Sequence, residues 1–259
     1  CLYLRGPSTP ELADWLATAG CPLRTLRVHV PGVWLRLAAG ARLFDRVRKL
    51  QIIWRGARRN QAPLWARRWE QVIGGLCNRA PTLRVLHLHA KPCAGGDGPS
   101  TTTFVAGSAS LEVQRASGLR ALQDLWALAT CPALRVLHLR HAMALTDLAP
   151  LGECATLEEL HLACGATCLA PLARCARLCA LRLSGCQHLA DLSPLRGCAS
   201  LARLALRGCV ALSDLGPLVG CARLASLHVL HCPLVRGPPL AAALRALQTA
   251  IRSVRILRG

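Results

Sequence analysis

Apolar residues recur along this chain in one repeated spacing. The pattern L-x-x-L-x-L occurs four times in its C-terminal half, and a fifth copy ends in valine. The first leucines of the five copies are Leu134, Leu157, Leu178, Leu201 and Leu224. The steps between them are 23, 21, 23 and 23 residues. Each copy predicts a short strand whose leucines point into a core, while the residues between them face the opposite side.

Cysteine, proline and aspartate recur in the same register. One cysteine column follows the strands and comprises Cys164, Cys186, Cys209 and Cys232. A second precedes them and comprises Cys131, Cys154, Cys175, Cys198 and Cys221. Proline–leucine pairs begin at Pro150, Pro171, Pro194 and Pro217, and a partial aspartate column comprises Asp147, Asp191 and Asp214. The prolines predict that the chain returns from one strand to the next through turns or short 3-10 segments. The cysteines are interpreted as buried free thiols in a reducing compartment.

These columns resemble the leucine-rich-repeat family, whose signature is L-x-x-L-x-L-x-x-N/C-x-L. The short Pro-Leu repeats look most like tandem arrays of GC-rich protists. The resemblance implies an α/β solenoid, a horseshoe with a parallel concave sheet. It implies helices on the convex side of the N-terminal part and 3-10 or turn segments in the C-terminal part.

The whole chain, residues 1–259, is interpreted as one such domain. Residues 1–130 form irregular longer repeats, 131–232 the regular short ones, and 233–259 a C-terminal cap. Further strands are predicted at Leu23/Leu26/Val28, Val47/Leu50/Ile52, Leu83/Leu86/Leu88 and Ile251/Val254/Ile256. Helices are predicted at Leu12–Ala19, Trp65–Leu76, Leu119–Ala129 and Leu240–Ala250. Lys91–Ser110 lacks periodicity and is interpreted as a projecting loop.

The net charge of +19 comes from 32 Lys and Arg against 13 Asp and Glu. A GC-rich genome explains arginine in place of lysine but not the shortage of acids, so the charge favours a polyanionic partner. The densest cluster comprises Arg42, Arg46, Arg48, Lys49, Arg55, Arg58, Arg59, Arg67 and Arg68. Trp54, Trp65 and Trp69 are interleaved with it and either stack on bases or belong to the core. A second basic group comprises Arg245, Arg252, Arg255 and Arg258.

The residues between the strand leucines supply a further candidate site, because repeat proteins bind through the concave face. The predicted basic strip comprises Arg27, His87, His138, Arg140, His161, Arg182, Arg203, Arg207 and His228. No metal site is expected there, since Arg182 and Ala205 interrupt the histidine column and no carboxylate is seen to accompany it. Exposed strand positions that simply take polar residues are the alternative interpretation.

No paired carboxylates, phosphate loop or nucleophile elbow are recognisable, so the chain is expected to be neither an enzyme nor a cofactor protein. The first functional hypothesis is a scaffold subunit of a ribonucleoprotein assembly, a mitochondrial ribosome in particular, contacting RNA and neighbouring proteins. The alternative is a protein–protein adaptor, such as a ubiquitin-ligase substrate receptor or a phosphatase regulator. A mitochondrial or otherwise cytoplasmic location is expected, with no secretion, no membrane insertion and no small-molecule substrate.

Overall fold

The computed structural model describes residues 2–4, 24–30, 46–55, 73, 77, 80–91, 105–106, 108–235, 245 and 253–257. Two compact units divide the chain, Cys1–Leu134 and Arg135–Gly259. The interpretation of residues 1–259 as a single domain therefore stays a prediction.

In the first unit, the described strands run parallel and follow one another in chain order. They are β1 (Leu2–Leu4), β2 (Thr25–Val30), β3 (Lys49–Arg55), β4 (Val85–Lys91) and β5 (Val113–Ser117). Leu26, Leu50 and Leu86 are register partners and are buried. The predicted leucine spacing therefore places β2, β3 and β4 correctly.

In the second unit, the same arrangement recurs with shorter and more regular repeats. Its described strands are β6 (Val136–Ala142), β7 (Glu159–Cys164), β8 (Ala180–Ser184), β9 (Arg203–Arg207), β10 (Ser226–Leu230) and β11 (Ser253–Leu257). Leu137, Leu160, Leu181, Leu204 and Leu227 form one buried column across five of them. One repeated aliphatic residue thus forms the core because each strand presents the same position to the next.

The return segments are the predicted short 3-10 turns. They are η1 (Ala149–Glu153), η2 (Ala170–Arg174), η3 (Ser193–Gly197) and η4 (Gly216–Gly220), each with proline in its first turn. Proline suits this place because its fixed φ and missing N–H are tolerated at the start of a helical turn.

The cysteine column that precedes the strands links neighbouring repeats. The Cys175 thiol donates to the carbonyl of Leu151 at 3.2 Å, and the Cys198 thiol to Leu172 at 3.2 Å. Burial raises the pKa of Cys198 to about 12 and that of Cys175 to about 11, so both thiols stay protonated at neutral pH. These thiols therefore satisfy buried carbonyls of the preceding 3-10 turns.

The aspartate column caps the same turns. Asp147, Asp191 and Asp214 each accept a hydrogen bond from the backbone N–H two residues on, at 2.7–2.8 Å. Asp124 does the same before a short helix, α1 (Trp126–Ala129). Cys168 takes this place before η2, with its sulfur 3.4 Å from the N–H of Ala170. The gap in the predicted ladder is thus filled by a weaker acceptor.

A left-handed backbone conformation recurs two residues after the third core position of several repeats. Gly118, Gly185 and Gly208 have φ values of +78°, +68° and +63°, and His141 and His231 have +61° and +54° at equivalent places. There the N–H groups of Gly185 and Gly208 reach the last carbonyl of the following strand at 2.8 and 2.9 Å. Glycine is favoured because it adopts positive φ without a Cβ penalty.

Three predictions require correction. Strand β5 was not predicted, because Gln114 and Ala116 replace the second and third leucines of its repeat. The predicted helix Leu119–Ala129 is helical only at Trp126–Ala129. Leucines at 119, 122, 125 and 128 are all buried, and this three-residue spacing belongs to an irregular return segment.

The predicted projecting loop Lys91–Ser110 is also partly wrong. Lys91 ends β4, and Val105 is fully buried, with its carbonyl accepting from the Cys131 thiol at 3.3 Å. Residues 92–104 lie outside the described part. So do Leu12–Ala19 and most of Trp65–Leu76 and Leu240–Ala250, where Ile73 and Arg245 are helical.

The described cysteines are all free thiols, and ten of these twelve are buried, which confirms the prediction for this part of the chain. Cys168 is exposed and Cys179 is partly exposed. In the described ranges, no helix has both the length and the apolar character needed to cross a bilayer.

Candidate binding surface and histidine cluster

The face of the second unit's sheet that points away from the leucine core carries a mixed column of side chains. His138, His161, Arg182, Ala205 and His228 are register partners on β6 to β10. Adjacent parallel strands lie ~4.8 Å apart, so neighbouring side chains in this column are within contact distance. We call this surface the open face.

Two histidines of the open face stack on each other. The ring centroids of His138 and His161 are 3.7 Å apart and the rings are tilted by only 5°. Burial, followed by the neighbouring His138 and Arg182, lowers the pKa of His161 to about 4. His161 is therefore a neutral imidazole at physiological pH, and its buried Nε2 has no hydrogen-bond partner within the described ranges.

A carboxylate lies beside this stack. Glu159 precedes His161 by two residues, so both side chains leave β7 on the open face. Its Oε2 is 3.6 Å from Nε2 of His138, and its Oε1 is 3.3 Å from Nη2 of Arg203. The expectation that no carboxylate accompanies the histidine column is therefore wrong.

The pair between Glu159 and Arg203 spans two strand spacings. Ala180 lies between them in the same register row, and its methyl group leaves room for the arginine to cross β8. This contact cannot be predicted from the sequence alone. The contact depends on the strand register and on a small residue in the intervening strand.

Three arginines of the open face have no such partner. Arg140, Arg182 and Arg207 are exposed and make no ion pair with a described residue. Ser184 on β8 is the register partner of Arg207 and has a small side chain. Two further residues of the predicted strip lie in this unit. Arg203 pairs with Glu159, and His228 is half-buried.

In the first unit, the predicted strip is less open. Arg27 and His87 are partly buried, and Ile53 of β3 is buried. His89 is exposed, and its Nδ1 makes a short hydrogen bond to the hydroxyl of Ser117 on the adjacent strand. His89 was not among the predicted site residues.

The predicted basic cluster falls only partly on the described residues. Arg46 and Arg48 are exposed, Lys49 is partly exposed, and Arg55 lies at the end of β3. The positions of Arg42, Arg58, Arg59, Arg67 and Arg68 lie outside the described part. In the C-terminal group, Arg245 is helical and exposed, Arg255 lies in β11, and Arg252 and Arg258 are not described.

Solved structures with this arrangement are leucine-rich-repeat proteins. Internalin C2 from Listeria monocytogenes has a TM-score of 0.55 at 20% identity, over 85% of this chain and 92% of that one. A leucine-rich-repeat protein of Leptospira interrogans has a TM-score of 0.54 at 12% identity, over 99% and 72%. TLR13, solved in a complex with ssRNA13, has a TM-score of 0.54 at 14% identity, over 92% of this chain and 36% of that one.

No protein-family model and no curated protein matches the sequence. The structural likeness, together with the parallel strands and their repeated leucine register, confirms the predicted α/β leucine-rich-repeat fold. In repeat proteins of this fold, the surface of the parallel sheet is a common place for binding.

Proposed function

We propose that this chain is a non-catalytic scaffold that binds RNA through the open face within a ribonucleoprotein assembly. The observation that carries the proposal is the group Arg140, Arg182 and Arg207, which are exposed and make no ion pair with a described residue. Arginine presents a planar fork of donors that matches a phosphate and can also stack on a base.

Charge elsewhere in the chain supports the same ligand class. Arg24, Arg46 and Arg48 of the first unit are exposed, and the described residues 24–30 and 46–55 contain no acid. With a net charge of +19, the chain attracts a polyanion at long range, and each phosphate neutralised releases counterions. TLR13, which shares the fold, was solved with ssRNA13, so the fold is compatible with an RNA ligand.

The test compares two double variants with equal charge change. Arg182→Ala/Arg207→Ala removes open-face arginines, whereas Arg177→Ala/Arg223→Ala removes exposed arginines from the turns before β8 and β10. In fluorescence anisotropy with a structured RNA, the wild-type affinity should fall steeply as salt rises. The open-face variant should lose about tenfold in affinity and flatten the salt slope by about two, one for each phosphate contact removed. Equal losses in the two variants would contradict binding through the open face.

The particular assembly we propose is a mitochondrial ribosome, with ribosomal RNA and neighbouring subunits as the partners. Affinity purification at low and high salt, with nuclease treatment, tests this. Ribosomal components that nuclease releases would support the proposal. Recovery of the protein outside mitochondria and without ribosomal RNA would refute this assignment.

A protein–protein adaptor is the second candidate, and exposed apolar side chains favour it. Met143, Val210 and Leu234 follow β6, β9 and β10 and are about half exposed, at 52%, 44% and 55%. Large apolar side chains exposed to solvent are candidates for protein contacts. Recovery of a ubiquitin ligase or a phosphatase in the same purification, resistant to nuclease, would support this candidate instead.

A further inference from the structure

The histidine cluster has a chemistry that RNA binding does not use. We propose that His138, Glu159 and His161 form a binding site for one first-row transition-metal ion, such as Zn²⁺ or Co²⁺. One potential ligand atom from each residue lies within 4.8 Å of the other two. Neither the phosphate-binding arginines nor the repeat fold requires this juxtaposition.

Two imidazoles and one carboxylate are the donors that such ions prefer. Zinc binds histidine nitrogen and carboxylate oxygen at about 2.0–2.2 Å, and three protein ligands leave a coordination position open. The ligand atoms must therefore move closer together, and the two stacked rings must rotate so that their nitrogens converge. His138 and His161 lie on paired strands and Glu159 leaves the same face, so the three side chains are directed to the same side of the sheet.

The cluster also contains an unsatisfied group that a metal would satisfy. Nε2 of His161 is buried and has no hydrogen-bond partner among the described residues, which is unfavourable for a polar atom. A neutral imidazole has a nitrogen lone pair available for a metal ion.

Arg203 orients the carboxylate for this role. It contacts Oε1 of Glu159 at 3.3 Å, which leaves Oε2 directed at His138 at 3.6 Å. Hydrogen-bonded partners of ligating carboxylates commonly fix their orientation in this way. We therefore assign Arg203 as a positioning residue and the other three as ligands.

The surrounding charge determines what kind of site this is. Arg182 and Arg140 both act on His161 electrostatically, and they weaken the binding of any cation. The site is thus weaker than a closed structural zinc site with four protein ligands. The same arginines favour an anion as the remaining ligand of the metal.

The experiment uses untagged, reduced full-length chain titrated with Co²⁺ and Zn²⁺. We expect saturable one-to-one binding by isothermal titration calorimetry and a Co²⁺ absorption spectrum without a thiolate charge-transfer band. His161→Ala and Glu159→Gln should each weaken binding at least about tenfold, and Arg203→Ala should weaken it by about tenfold. His228→Ala, in the same register row, is the matched control and should bind like the wild type.

Two measurements keep the test independent of variant folding. Circular dichroism checks each variant, and imidazole ¹⁵N shifts of the wild type should change on Zn²⁺ addition for His138 and His161 but not for His228. A thiolate band would place the metal on cysteine and overturn the assignment. Equal affinity in wild type and His161→Ala, or no binding at millimolar metal, would also overturn it.

Discussion

Gln114 breaks the leucine column of the first unit, and its replacement is the sharpest test of the repeat architecture. It is the register partner of Leu86, is fully inaccessible to solvent, and neither its Oε1 nor its Nε2 has a hydrogen-bond partner in the part of the chain that the structure describes. An unsatisfied buried polar group costs about 1–3 kcal/mol. Gln114→Leu removes that group while keeping a similar volume, so we expect the free energy of unfolding to rise by about 2 kcal/mol.

The measurement is thermal and urea unfolding followed by circular dichroism, together with hydrogen exchange of the β4 and β5 amides. For a chain of this size, about 2 kcal/mol corresponds to a rise in melting temperature of roughly 4–8 °C. Hydrogen exchange assigns the gain to the strands around Gln114 even if the two units unfold in separate transitions.

Leu181→Gln is the reverse substitution in the second unit. It places an amide in a fully buried leucine column and should lower the free energy of unfolding by about 3 kcal/mol. If Gln114→Leu leaves stability unchanged or lowers it while Leu181→Gln is destabilising, the amide of Gln114 has a partner or a role, and the reasoning fails.

Three further predictions concern the turns. Gly118→Ala should lower the free energy of unfolding by about 3 kcal/mol and Gly208→Ala by about 1 kcal/mol, as measured by urea unfolding. Both glycines have a positive φ, but of the two only Gly118 has no room for a Cβ, which would lie 2.0 Å from the carbonyl oxygen of Ala90. Equal effects would refute the steric argument. Cys168 should react with a thiol reagent in the folded protein far faster than Cys198, and mass spectrometry with peptide mapping checks this. Cys168→Asp should raise the free energy of unfolding by about 0.5–1 kcal/mol, because it restores the stronger hydrogen-bond acceptor found in other repeats. Cys168→Ala is the control and should not raise the free energy of unfolding.

The sequence predicts the strands where leucine, isoleucine or valine occupies all three apolar positions. Leu137, Leu139 and their equivalents repeat at steps of 21 or 23 residues, and each strand places the same residue type over its neighbour. Strand β5 escapes this reasoning because Gln114 is polar and Ala116 is small, so its repeat is visible only through its paired strand β4. The spacing of apolar residues thus predicts the strands that follow the common pattern and misses a strand whose residues differ from it.

The candidate sites divide in the same way. The open face follows from the alternation of side chains along a strand, so Arg182 and His161 are predicted from spacing alone. The contact of Glu159 with Arg203 cannot be predicted from spacing, because it depends on the small side chain of Ala180 and on which strands are paired. The stacked rings of His138 and His161 likewise depend on register between strands. Contacts between side chains on different strands are therefore visible only in the structure.

The register shared by β7 to β10 has an evolutionary consequence. Because these four strands offer outward positions at fixed intervals, their surface is a grid whose points are set by the backbone and not by the residues upon them. A change such as Ala205 to a larger or charged residue alters one grid point without disturbing the leucines beneath. Such a surface can acquire a new ligand by single substitutions while the buried layers stay as they are.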